Sequence, residues 1–124
     1  MKQLSPKVHG ILDYATVAFL LCAPFLFDMQ PNGRLFTFVL GFVHLVLTLT
    51  TDFPMGVFRI IPLRIHGLIE LIVSVLLLVM ANLFRVTNDI TAFYFYLVFA
   101  IVLFLVWIGS EYSNAVQVKK VKNP

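Results

Sequence analysis

Charge is what this chain of 124 residues has least of: Lys, Arg, Asp and Glu together make up 12% of it, about half the share of a soluble domain. Six acids and nine bases cannot clothe a water-facing surface, and this deficit excludes a soluble catalytic domain. Cysteine is almost absent as well. The single Cys22 rules out an intramolecular disulfide and any Cys-based metal cluster. There is no glycine-rich loop to cradle a phosphate, no nucleophile beside a base, and no haem-attachment motif. The net charge of +3 implies no nucleic-acid partner, because the bases gather at segment ends rather than along one face. What remains is apolar: 60% of the residues are hydrophobic, the composition of a polytopic membrane protein whose main partner is the lipid bilayer.

Four apolar stretches, at about 8–27, 35–51, 65–84 and 91–110, each suffice to cross a hydrocarbon core. The first contains Asp13 and ends at Pro24-Phe25 without a small-x-small cleavage pattern, so it reads as a retained span rather than a signal peptide. The outer connections are short, with Pro31-Asn32-Gly33 in one and Thr87-Asn88-Asp89 in the other. The middle link carries Pro54, Gly56 and Pro62 around an apolar Val57–Ile61 stretch suited to the interface. Seven of the nine bases fall on one side: Lys2, Lys7, Arg59, Arg64, Lys119, Lys120 and Lys122. The positive-inside rule then puts both termini in the cytoplasm.

One seven-residue pattern occurs twice, 57 positions apart. Lys7-Val8-His9-Gly10-Ile11-Leu12-Asp13 is answered by Arg64-Ile65-His66-Gly67-Leu68-Ile69-Glu70, each opening an apolar segment. The same shift pairs Leu20, Leu21, Leu26, Phe27, Phe36, Phe38, Leu40 and Phe42 with identical residues. The expected fold is therefore an all-α integral membrane four-helix bundle, a single domain of two parallel two-helix repeats covering about 5–56 and 62–113. A pseudo-two-fold axis runs along the membrane normal. The outward apolar faces are compatible with a homo-oligomer.

Histidine and carboxylate four residues apart share one helix face. On the second span Thr37, Gly41, His44, Thr48 and Asp52 also share a face. His9, Asp13, His44, His66 and Glu70 are thereby expected to line one polar chamber near the cytoplasmic side, with Asp52 and Glu111 at its edge. The 57-residue shift puts Ile101 opposite His44, so the chamber is expected to be asymmetric. A carboxylate near a span's centre costs ~2.5–3.5 kcal/mol to insert, and less toward the interface. Imidazole nitrogen and carboxylate oxygen suit a divalent transition metal such as zinc, iron or manganese. The same groups suit a proton relay or capture of a polar ligand. An accessory protein whose polar cluster only fixes helix packing or oligomerisation is the alternative. A membrane-embedded metal hydrolase ranks third, since no separate nucleophile or base can be assigned and no residue is marked as catalytic. Gly10 and Gly67 are expected to permit close helix approach, and Tyr112 to pack at the interface.

A span opening His9-Gly10-Ile11-Leu12-Asp13-Tyr14 and closing near Ala23-Pro24-Phe25-Leu26-Phe27 resembles the SPW-repeat family of small bacterial membrane proteins. The link from Leu49 through Asp52, Gly56, Arg59 and Pro62 to His66 is similar to the one between repeats in that family. The Ser-Pro-Trp signature itself is replaced by Ala23-Pro24-Phe25 and by Met80-Ala81-Asn82. The resemblance implies the two-repeat architecture and a bacterial inner-membrane location, and it assigns no residue a role.

Overall fold

The computed structural model describes residues 4–110 and 112. Four helices follow one another: α1 (Pro6–Leu26), α2 (Pro31–Thr50), α3 (Leu63–Val86) and α4 (Ile90–Gly109). All four are long and apolar enough to cross a membrane, and 20 residues at ~1.5 Å each span ~30 Å. The chain is a multi-pass membrane protein. α1 packs on α2 and α3 on α4, as short connections require. Two short strands in the middle link, β1 (Thr51–Asp52) and β2 (Ile61–Pro62), pair in parallel.

The helix starts explain why the spans run a few residues beyond the apolar stretches. Proline needs no hydrogen-bond acceptor in the first turn, so Pro6 and Pro31 open helices instead of ending loops. Ser5 caps α1 by accepting from Val8 N. Asp89 serves two helix starts at once: Oδ1 accepts from Ala92 N in α4, and Oδ2 accepts from the backbone N of Gln30 at the start of α2. One carboxylate thus meets two helix N-termini, where negative charge is favoured.

The buried positions of α1 and α3 correspond at a separation of 57. His9, Gly10, Asp13, Val17, Leu20 and Pro24 match His66, Gly67, Glu70, Ser74, Leu77 and Ala81. Those of α2 and α4 correspond at 59 instead: Gly33, Thr37 and Gly41 match Ala92, Tyr96 and Ala100. α3 has 24 residues against 21 in α1, while its turn to α4 is one residue shorter, which accounts for the change of two. The pairing of Phe36, Phe38, Leu40 and Phe42 at 57 therefore does not survive folding. Ile101 is not the counterpart of His44 either: it faces outward, half exposed, and Leu103 takes the matching slot.

Two interior regions result. Toward the α1–α2 and α3–α4 turns lies an apolar, aromatic core of Met29, Leu77, Ala81, Phe84, Ala92, Tyr96 and Ala100. Its deepest polar group is satisfied within the bundle. The Tyr96 hydroxyl meets Thr37 Oγ1 at 2.6 Å, and Thr37 donates onward to Gly33 O at 2.7 Å. The outward surface is apolar, with Phe25 and Ile60 81% and 73% exposed, as lipid contact requires. At the opposite end, where α1 and α3 begin, the interior is polar.

Candidate functional site: a buried imidazole–carboxylate cluster

α1 and α3 each lay a His and an acid on the face turned into the bundle, one helical turn apart. His9, Asp13, His66 and Glu70 are all buried, at 1%, 3%, 0% and 2% exposure. One ligand atom from each lies within 4.8 Å of the other three. His9 Nε2 is 2.9 Å from Glu70 Oε1 and 3.3 Å from Asp13 Oδ1. His66 Nε2 is 3.0 Å from the same Glu70 Oε1 and 3.1 Å from Asp13 Oδ2. His44, descending on α2, brings its Nε2 to 3.5 Å from Asp13 Oδ1. Three imidazoles thus surround one carboxylate.

The rear nitrogen of each α1 and α3 imidazole is fixed by a hydroxyl from the end of another helix. His9 Nδ1 lies 2.7 Å from Ser110 Oγ, and His66 Nδ1 lies 2.7 Å from Thr51 Oγ1. Both hydroxyls already donate, Ser110 to Val106 O and Thr51 to Leu47 O, each at 2.6 Å. A hydroxyl has one proton to give, so each must accept from the imidazole. Both Nδ1 atoms therefore carry hydrogen. In the neutral ring the Nε2 atoms then present lone pairs toward carboxylate oxygens ~3 Å away, which is repulsive. A proton shared between each Nε2 and a carboxylate oxygen relieves this, and so does a metal ion.

Neighbouring imidazole and carboxylate donors are spaced as they would be around an ion. Donors ~2.1 Å from a common metal lie about 3.0 Å apart across a right angle and about 3.4 Å apart across a tetrahedral one. The imidazole–carboxylate contacts among the four run from 2.9 to 3.3 Å and use both oxygens of Asp13, while one donor atom from each residue falls within 4.8 Å of the rest. Hydrogen bonds from imidazolium to carboxylate have similar lengths, so length alone does not decide. Two buried atoms have ion-pair contacts without hydrogen-bond geometry: Asp13 Oδ2, 3.1 Å from His66 Nε2, and His44 Nε2, 3.5 Å from Asp13 Oδ1. Such groups are costly in a low-dielectric interior.

Tyr112 completes the shell. Its hydroxyl donates to Glu70 Oε2, leaving Oε1 for the two imidazoles. Burial, then the neighbouring Glu70 carboxylate, raise its phenol well above the usual range and keep the donated proton in place. The ring lies edge-on to His9, with centroids 5.4 Å apart, and covers Gly67. A Cβ there would come within 2.7 Å of the Tyr112 ring. Gly10 is covered in the same way by Phe53 and Met55 of the middle link, at 2.8 and 2.6 Å from such a Cβ. The two glycines thus make room for the segments that close the site rather than for a neighbouring helix.

All five expected residues meet, with His44 outside the group of four and touching it only through Asp13. Asp52 is half-buried in β1 and is not one of those four, while Glu111 lies outside the described residues. Thr51, Ser110 and Tyr112 were not foreseen. The signal for them is a second pattern at 59 residues, Thr51-Asp52-Phe53 against Ser110-Glu111-Tyr112: hydroxyl, acid, aromatic. It follows α2 and α4 as the His-Gly pattern opens α1 and α3. The bridges around it agree, since Thr51 pairs in parallel with Ile61, and Ser110 with Leu4. Compared with family models, curated proteins and solved structures, the chain matches none.

Proposed function

We propose that this protein holds a divalent transition-metal ion inside the membrane, ligated by His9, His66, Asp13 and Glu70. The observation that carries the reading is the pair of Nδ1–H···hydroxyl bonds that His9 and His66 donate to Ser110 and Thr51. They fix both imidazoles with Nε2 turned onto two carboxylates, the outer-shell arrangement that orients metal-ligating histidines. Asp13 and Glu70 together bring two negative charges. One divalent ion neutralises them, and so do two protons on Nε2, so ion and protons compete for one space. Nitrogen and oxygen donors without thiolate suit zinc, iron(II) or manganese(II).

A proton path across the whole bilayer is the weaker alternative. Beyond Ser74 and its counterpart Val17 the interior turns to Leu20, Leu77 and Ala81 before the Thr37–Tyr96 pair, and among the described residues no polar chain bridges that gap. The repeat relation belongs to the same proposal: a two-helix unit was duplicated, and its copies face one another across the ion. So do a distant place among SPW-repeat-like proteins, a bacterial inner membrane and cytoplasmic termini, which set the site in the inner half of the bilayer. The basic residues flanking α1 and α3 support that orientation.

The test is thermal denaturation of chelator-treated protein in detergent, with zinc, iron(II) or manganese(II) added back. A ligand held only by the folded state at 100 times its Kd stabilises by about 2.7 kcal/mol. A rise in Tm with one of these ions, absent in Glu70→Gln, is expected. Equal behaviour of the two proteins would refute the reading.

A further inference from the structure

Two grooves run between neighbouring helices outside the hairpins, and the correspondences at 57 and 59 relate them. The α1–α4 groove has a volume of about 600 Å³ and contains Leu12, Thr16, Phe99 and Val102. The α2–α3 groove holds the equivalent Ile69, Val73, Leu40 and Val43, but encloses only about 50 Å³. The large groove is lined by none of the cluster residues. The small one is lined by Glu70 and His44, and Leu103 walls it from α4. His44 thus stands where the other half of the molecule has Leu103, and its Nε2 meets Asp13 Oδ1 only at 3.5 Å, without hydrogen-bond geometry.

We infer that this chamber is the access side of the metal centre, and that it admits a small uncharged molecule from the hydrocarbon phase. The inference rests on the metal reading above. Size sets the first limit: about 50 Å³, against the ~10–15 Å³ that one water needs in a cavity, leaves room for only a few heavy atoms. Polarity sets the second. Leu40, Val43, Val73 and Leu103 offer no hydrogen bond, and a charged species would be stranded among them. Location sets the third, because Val43 on the chamber wall is 58% exposed on the outward, lipid-facing surface. The cytoplasmic approach, by contrast, is covered by Phe53 and Met55 over Gly10 and by Tyr112 over Gly67. Metal centres that act on substrates keep a coordination position open. Four protein donors would close a tetrahedral ion but would leave a position free on iron(II) or manganese(II), whose sites take more donors, and His44 is placed to hydrogen-bond what enters. The chemical class is a diatomic or similarly small apolar molecule.

The experiment loads the full chain in lipid nanodiscs with iron(II) under anaerobic conditions, measures bound iron, and adds nitric oxide or azide. The expected result is the EPR signal of a non-haem iron nitrosyl at one per bound iron, with no azide complex. Val73→Phe and Leu103→Phe fill the chamber from two different helices. Either variant that retains its iron should weaken nitric oxide binding about tenfold or more, the equivalent of ~1.4 kcal/mol. Full iron with no nitrosyl signal would overturn the chamber and leave the metal reading standing. Azide binding as readily as nitric oxide, or filled variants binding it unchanged, would overturn it too. Absence of bound iron, zinc and manganese together would instead remove the metal reading beneath it.

Discussion

The two ends of this bundle bury polar groups in opposite ways. At the aromatic end, Tyr96 gives its proton to Thr37, Thr37 gives its own to Gly33 O, and Asp89 divides its oxygens between two helix starts. Donors and acceptors balance, and the chain of bonds ends on backbone. At the other end five ionisable side chains face one another, both Nδ1 protons are committed outward, and two buried atoms have ion-pair contacts without hydrogen-bond geometry. The first arrangement is complete as it stands and serves packing. The second needs protons or an ion supplied to it. Burial of polar groups is therefore not in itself the mark of a site; unbalanced burial is.

The contrast breaks most directly at the carboxylates. Glu70→Gln removes a charge and a donor while keeping the shape, and should lower metal affinity well beyond the ~10–100-fold typical of outer-shell changes. Equilibrium dialysis with the chelator-treated protein measures this. Asp13→Asn should behave alike, because its carboxylate touches all three imidazoles.

Next come the hydroxyls. Thr51→Val and Ser110→Ala leave every proposed ligand in place but free His66 or His9 to turn, and each should cost ~10–100-fold in metal affinity. Tyr112→Phe should fall at the lower end of that range, since Glu70 keeps Oε1 for the imidazoles. Unchanged affinity in all three would mean that the outer bonds orient nothing.

The pH dependence follows from competition. Protons on the two Nε2 atoms occupy the space of the ion, so affinity should rise with pH and fall as acid protonates the imidazoles. Titration in buffers of differing ionisation enthalpy should show proton release on binding.

At the aromatic end the expected pattern reverses. Tyr96→Phe deletes one hydrogen bond, and Thr37 still donates to Gly33 O, so stability should fall by ~1 kcal/mol with metal affinity unchanged. A matching loss of metal there would dissolve the distinction between the two ends. Smallest of all is Arg34→Ala. Its 3.8 Å contact with the exposed Asp28 lies on the surface and should alter neither quantity measurably.

Much of this was legible in the chain because membrane helices are long apolar runs and a 3.6-residue period ties His9 to Asp13 and His66 to Glu70. Four spans and the five meeting residues come from those two regularities. α1 and α2 start earlier than the apolar stretches because Pro6 and Pro31 sit where a loop reading stops and a first helical turn begins. The outer shell was hidden for a different reason. Thr51, Ser110 and Tyr112 reach the imidazoles and Glu70 only after the segments beyond α2 and α4 fold back, and no helical period connects them to α1 or α3. The offset of 59 rather than 57 concealed them further. A single shift applied to the whole chain aligned the first helices and misaligned the second, which also set Ile101 where Leu103 belongs.

The central claim is that the polar end holds an ion, and metal analysis of the detergent-purified chain tests it most directly. Protein expressed in medium supplemented with zinc, iron and manganese should retain about one divalent ion per chain after desalting, and Glu70→Gln should retain none. A chain that is folded, free of all three metals and indistinguishable from Glu70→Gln would contradict it.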